Sequence, residues 1–143
     1  MRNASWIVVV CCLLLCNYVI AGEDGFIEVK GSGGGAGTVI SFTNGISEVN
    51  TKVDYVVVAT LPSNPTTGYR WELMKPLAEG IVRFARRTYH PPQTGLVGAG
   101  GQEVLIFRTA GLGETEIALG YLRPWEKGVP PVSSRTIRLK VSP

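Results

Sequence analysis

Along most of the chain, apolar and polar residues trade places at every second position, the spacing of a strand with one buried face. Tyr69-Arg70-Trp71-Glu72-Leu73 sets two aromatics and a leucine on one side. Thr115, Ile117, Leu119 and Tyr121 alternate with Glu114, Glu116 and Ala118, which places both carboxylates toward solvent. Ile137, Leu139 and Val141 alternate with Thr136, Arg138 and Lys140 as a final half-buried strand. Val53 to Leu61 and Gln102 to Thr109 are more continuously apolar; the first stops at Pro62 and the second at the turn Ala110-Gly111-Leu112-Gly113. Ile81 to Tyr89 is mixed, and its Arg83, Arg86 and Arg87 suit a sheet edge, where charge discourages stacking. Thr38 to Phe42 is a run of strand formers, and Phe26 to Val29 can pair as a short strand. No stretch holds a helical period over three turns. Seven or so short strands separated by turn residues predict an all-β chain, an immunoglobulin-like β-sandwich.

The N-terminus breaks this pattern. Arg2 precedes an apolar run from Ile7 to Leu15, and Val19-Ile20-Ala21 offers a small residue before polar Gly22-Glu23-Asp24. The run is shorter than the roughly 20 residues a spanning helix needs and is interrupted by Asn17. It reads as a secretory signal peptide, residues 1–21, cleaved after Ala21. Residues 22–37 then form a glycine-rich extension, and residues 38–143 the folded domain. Gly31 to Gly37 invites a phosphate-loop reading, but no Gly-Lys-Ser/Thr follows and the next residues form a strand rather than a helix. A flexible linker is the better reading.

Processing also changes charge and redox character. The full chain carries 14 basic and 11 acidic residues. Loss of Arg2 lowers the net charge from +3 to +2, too mild a bias to imply a nucleic-acid partner. Cys11, Cys12 and Cys16 leave with the signal, so the processed chain is disulfide-free and stands on its hydrophobic core.

Little remains with which to run chemistry. His90 is the single histidine, set beside Pro91-Pro92, with no Gly-x-Ser-x-Gly elbow anywhere and no cysteine in the mature chain. A triad can assemble across a fold, yet a lone histidine at a strand end is more often a solvated bystander. His and Cys ligands are too few for a metal centre. The chain is read as a non-enzyme with no catalytic residue, metal or cofactor.

Three loops stand out instead. Asn64-Pro65-Thr66-Thr67-Gly68-Tyr69 combines a fixed φ at Pro65, stiff Thr66 and Thr67, and a Gly68 free to turn left-handed. Gly98-Ala99-Gly100-Gly101 is a turn, or lets another backbone approach closely. Arg123-Pro124-Trp125 follows the strand ending at Leu122. Trp125 is either tucked onto the core or exposed as an anchor of the kind enriched at binding hot spots. Loops on a rigid frame carry recognition, although Asn-Pro and Thr-Gly also make plain turns.

These loops, in this order and within Pro62–Tyr69, Leu96–Gly101 and Tyr121–Trp125, resemble those of the chagasin-type inhibitors of papain-like cysteine proteases. The resemblance covers roughly residues 38 to 142 by the strand layout. It implies a monomeric immunoglobulin-like sandwich whose loops form a wedge for the active-site cleft of cathepsin L- or B-like enzymes, giving reversible, competitive, non-covalent inhibition. It implies that residues 64–69 sit over the catalytic cysteine and histidine, with Gly98–Gly101 along one side and Arg123 and Trp125 clasping the other. It also implies a protein that is secreted or held in the lumen of lysosome-like vesicles, with no membrane attachment after signal removal. The competing reading is a secreted adhesion or recognition module that binds another protein or a glycan through the same loops.

With no cysteine after residue 16, the melting temperature of the processed protein should be the same with and without strong thiol reductant. A drop in reductant would show a bridge that this reading excludes.

Overall fold

The computed structural model describes residues 25–31, 38–41, 45–93 and 98–143. The signal segment, most of the glycine-rich stretch and Leu96-Val97 lie outside the described residues. Nine strands are found among those described: β1 (Phe26–Lys30), β2 (Thr38–Ser41), β3 (Ile46–Lys52), β4 (Val56–Ser63), β5 (Arg70–Leu73), β6 (Val82–His90), β7 (Gly101–Thr109), β8 (Gly113–Leu122) and β9 (Ser133–Ser142). They form a five-stranded sheet in the order β2-β1-β4-β7-β6 and a four-stranded sheet in the order β3-β9-β8-β5. The architecture is the expected immunoglobulin-like β-sandwich.

Alternation fills the space between the sheets. Val57, Leu61, Leu105 and Phe107 from one sheet join Trp71, Ile117, Leu119 and Ile137 from the other in a single core, each 2% exposed or less. Burying an aliphatic or aromatic side chain of this size is worth about 1.5–3 kcal/mol relative to exposure. With no cysteine among the described residues, that burial is what opposes chain entropy.

Two features depart from the sequence reading. β1 belongs to the sandwich: it pairs with β2 and with β4, from Phe26↔Thr60 to Lys30↔Val56, and its Ile27 is fully buried. The sheet therefore begins at Phe26, before the expected domain start at residue 38, because Ile27 and Val29 supply core surface that the glycines after them cannot. β3 was not expected. Its inward residues are Ser47, Val49 and Thr51, so two of three buried positions are hydroxylic and the apolar period is hidden. It runs parallel to β9, from Ile46↔Thr136 to Lys52↔Ser142.

β6 lies at an edge, as its arginines suggested. A bulge between Phe84 and Arg86 shifts its register against β7, so that Arg87 stands opposite Leu105. Leu105 faces the core, so the extra residue turns Arg87 inward. There it meets Glu103, whose residue is 3% exposed. Arg87 Nε lies 3.1 Å from Glu103 Oε1 as an ion pair, outside hydrogen-bond alignment. Arg87 Nη2 donates to the Trp71 carbonyl at 2.6 Å, while Glu103 Oε2 accepts from Ser63 Oγ at 3.1 Å and from the Trp71 N–H at 3.2 Å. One buried carboxylate thus joins β4, β5, β6 and β7.

Glu103→Ala should lower stability by about 2–4 kcal/mol, below the full cost of breaking a buried pair because Arg87 is partly solvated. The urea midpoint should fall with an unchanged slope. Glu72, whose more exposed carboxylate pairs with Arg87 Nη1 at 3.2 Å, should cost less than about 1 kcal/mol when replaced by Ala. Equal losses would remove the special role of Glu103.

Candidate functional site

The three loops singled out in the sequence lie at one end of the sandwich, and strand pairing explains why. Residues 64–69 connect β4 of the first sheet to β5 of the second, so this central loop is the crossover between layers. Gly101 opens β7 directly opposite Ser63, which sets Gly98–Gly101 beside the β4 limb of the crossover. Leu122 ends β8 directly opposite Arg70, which sets Arg123–Trp125 beside the β5 limb. The central loop is flanked on both sides.

Its shape is local. Pro65–Thr67 is a single 3₁₀ turn following Asn64, closed by Thr67 N–H to the Asn64 carbonyl at 3.1 Å and Gly68 N–H to the Pro65 carbonyl at 2.9 Å. Thr67 Oγ1 donates to the Asn64 carbonyl and Thr66 Oγ1 to Asn64 Oδ1, both at 2.6 Å. Gly68 ends the turn at φ 81°, where L side chains are strained. Pro65, Thr66 and Thr67 are exposed.

Its attachment is not local. Asn64 Nδ2 donates to the Gly98 carbonyl at 3.0 Å, tying on the second loop. The Asn64 N–H donates to the Tyr121 hydroxyl at 2.8 Å. On the other side, Arg123 Nε donates to the Thr67 carbonyl at 3.1 Å, and its guanidinium carbon stands 4.5 Å from the centre of the Tyr69 ring. Arg123 also pairs with Glu126 at 3.0 Å, and that hydrogen bond raises its pKa above the usual guanidinium value. It is cationic throughout the working pH range.

Trp125 is 65% exposed, the most exposed of the large apolar side chains described. The sequence left open whether it lies in the core or in solvent; it lies in solvent. Its ring edge rests over Gly68, where an added Cβ would collide with Cη2 and stand 2.8 Å from Cζ2. Glycine suits residue 68 for its φ, and any side chain there would also push the exposed indole aside. An open depression of about 480 Å³ lies between Pro65, Tyr69, Arg70, Pro124 and Trp125. A larger hollow, about 600 Å³, lies on the outer face of the four-stranded sheet. Its charges are matched there as Arg138–Glu48 and Lys140–Glu114, and it carries no exposed anchor like Trp125.

The glycines of the second loop divide in function. Gly98 has φ 83° with open space around it. Gly101 is a close-approach position, since an added Cβ would strike the His90 carbonyl and stand 2.7 Å from the Tyr89 hydroxyl. The backbone that approaches is the protein's own. His90 ends β6 opposite Gln102 and is exposed.

Sequence reasoning missed the supports beneath these loops. Tyr121 enters the sequence analysis as a strand residue and as the start of the third motif but not as a support, although the inward column Ile117, Leu119, Tyr121 ends in a side chain with a polar tip beside the loops. A buried tyrosine hydroxyl normally finds a partner, and that was the available signal. Glu103 and Arg87 gave no such signal, because their meeting depends on the β6 bulge.

The chagasin family peptidase inhibitor I42 model matches residues 50–141 of this chain. Amoebiasin-2 of Entamoeba histolytica is 36% identical over 76 residues, which are 53% of this chain and 62% of that protein. Chagasin of Trypanosoma cruzi is 36% identical over 76 residues, covering 51% of this chain and 69% of chagasin. The match thus spans somewhat under two thirds of the length of amoebiasin-2. Among solved structures, the cysteine protease inhibitor EhICP2 from Entamoeba histolytica superposes with a TM-score of 0.54 at 26% identity, over 68% of this chain and 96% of that one. Leishmania mexicana ICP gives 0.53 at 29% identity, over 72% and 94%. Loops joined at one end of a cysteine-free sandwich, and a family match spanning β4 to β9, lead to one assignment: the chain belongs to the chagasin family of peptidase inhibitors.

Proposed function

We propose that this protein is a reversible, competitive, non-covalent inhibitor of papain-family, cathepsin-like cysteine proteases, acting through the joined loop end. The observation that carries the reading is the central loop: an exposed turn, fixed on both flanks, with an exposed tryptophan beside it. A cleft-blocking wedge needs that combination. Little conformational freedom remains to be lost on binding, and Trp125 with Pro124 offers apolar surface to bury.

The geometry also supports inhibition over cleavage. A protease attacks a bond presented in near-attack geometry, and peptides held along a binding edge are commonly extended. Pro65–Thr67 is a 3₁₀ turn held by two backbone hydrogen bonds, and both would break before the loop lay flat in a cleft. In this reading Asn64–Tyr69 covers the enzyme's catalytic cysteine and histidine. Gly98, Ala99, Gly100 and Gly101 follow one wall. Arg123, Pro124 and Trp125 take the other, with Arg123 already oriented by Glu126 and Tyr69. The protein works as a monomer with no cofactor. The N-terminal apolar run supports entry to the secretory pathway, with release or retention in lysosome-like vesicles, where such proteases operate.

Titrated against papain, the purified protein should inhibit at near-stoichiometric concentration and be recovered intact after long incubation. Trypsin-like and aspartic proteases should be unaffected. Equal inhibition of trypsin, or rapid cleavage at Thr66-Thr67, would overturn the mechanism.

Trp125→Ala should weaken papain inhibition by about 2–4 kcal/mol, the hot-spot range, while leaving the melting temperature nearly unchanged. Gly68→Ala should lose both properties. The left-handed backbone costs roughly 1–2 kcal/mol of stability with a side chain present, and the new methyl displaces the indole. Inhibition constants and melting curves on the two variants separate contact from scaffold. A Trp125→Ala protein that inhibits like the parent would sink the wedge.

A further inference from the structure

The central loop closes on itself through its own backbone and threonine hydroxyls, but closure does not say where the loop points. Its links to the rest of the molecule are few. Asn64 Nδ2 reaches Gly98, a residue that is itself in an exposed loop. Arg123 reaches the Thr67 carbonyl from another loop. Of the hydrogen bonds that tie the loop to the rest of the described residues, the one from the Asn64 N–H to the Tyr121 hydroxyl at 2.8 Å ends on a strand of the sandwich.

Tyr121 is well placed to act as a mount. Its ring stacks on Tyr69 with centroids 5.4 Å apart, and lies 5.2 Å from the fully buried Trp71. Trp71 is in turn anchored by Nε1 donating to the Pro62 carbonyl at 2.9 Å, just before the loop. The Tyr121 carbonyl accepts from Val132 N–H at 3.0 Å, which ties in the return limb of the third loop. The contacts form a circuit: Asn64 to Tyr121, Tyr121 to Tyr69, Tyr69 to Arg123, Arg123 to Thr67, and Thr67 back to Asn64.

We propose that Tyr121 is a positioning residue for protease inhibition, its hydroxyl fixing the orientation of the central loop on the sandwich without itself contacting the enzyme. The proposal rests on the wedge reading above. It assigns the hydroxyl a role distinct from the ring: the ring completes the aromatic column, and the oxygen holds the loop in its binding-competent pose. When that pose is only fractionally populated, apparent affinity falls by the same fraction, and the loss appears in association more than in dissociation.

Tyr121→Phe keeps the ring and removes the oxygen. In the free variant, hydrogen exchange at the Asn64 amide, which loses its acceptor, should accelerate, while the Thr67 and Gly68 amides bonded within the turn and core amides such as Ala59 and Leu105 keep the parent's protection. Papain association should slow by about three- to tenfold, the scale of one neutral hydrogen bond, with dissociation changed less. Unchanged exchange at Asn64 would overturn the proposal. So would acceleration throughout the core, which would make the hydroxyl a general stabiliser, or a loss confined to the dissociation rate, which would make Tyr121 a contact residue. The exchange measurement needs no protease. Failure of the parent to inhibit papain would therefore count against the wedge, and altered loop exchange would still support the mount.

Discussion

A carboxylate that is almost entirely buried decides how the two layers of this molecule meet beneath its loops. Glu103 on β7 receives the Ser63 hydroxyl from β4 and the Trp71 N–H from β5, and faces the Arg87 guanidinium from β6. Ser63 and Trp71 sit on either side of the central loop, so the same carboxylate grips both of its limbs. Buried ion pairs add little net stability compared with well-packed apolar residues of similar volume. Here the contribution is geometric: an apolar replacement can slide, whereas a carboxylate with two directed donors and a cation on one side has few acceptable positions. The spacing of the crossover follows from it.

From that base, position is passed outward through aromatic rings. Trp71 belongs to the core, Tyr121 packs against it, and Tyr69 stacks on Tyr121 and carries Arg123 over its ring. Trp71 is buried, Tyr121, Tyr69 and Arg123 are half-buried, and the series ends at a guanidinium that donates to the loop. Rings have few rotatable bonds, so the column carries rigidity to the surface at low entropic cost. Trp125 is the member left outside, touching Gly68 and otherwise free to meet a partner.

Much of this was legible from one chain. Alternation located β5, β8 and β9, and arginines marked β6 as an edge. Proline, glycine and aromatic residues picked out all three loops. What escaped depended on neighbours that the sequence does not name. β3 buries Ser47 and Thr51 where an apolar period would be looked for, and β1, expected as a short strand, shows its place in the folded domain only through its pairing with β2 and β4. Arg87 faces inward only because of the bulge before it. Alternation already set Trp71 on the apolar side of β5, whereas Trp125, in a prolyl loop, has no period to place it and only the fold shows it in solvent. The loops were visible as loops, but their shared mounting on Tyr121 was not.

The tip's hydrogen bonding constrains how it can recognise a protein. A threonine hydroxyl has one proton to donate, and both Thr66 and Thr67 have committed theirs to Asn64. The N–H groups of Asn64, Thr67 and Gly68 are also occupied, and Pro65 has none. If the loop acts as the proposed wedge, it approaches a partner with few donors left to exchange. What it offers is a fixed outline, acceptor oxygens and the adjoining apolar surface of Pro65, Pro124 and Trp125. Recognition by outline tolerates changes in the partner's polar detail but not changes in the shape of its cleft. A loop of this kind suits a target class with one common cleft geometry, and it has little means of choosing among members by hydrogen bonding at its apex. Discrimination between them then falls to the flanks, where the Gly98 and Trp125 loops differ in size, charge and exposure.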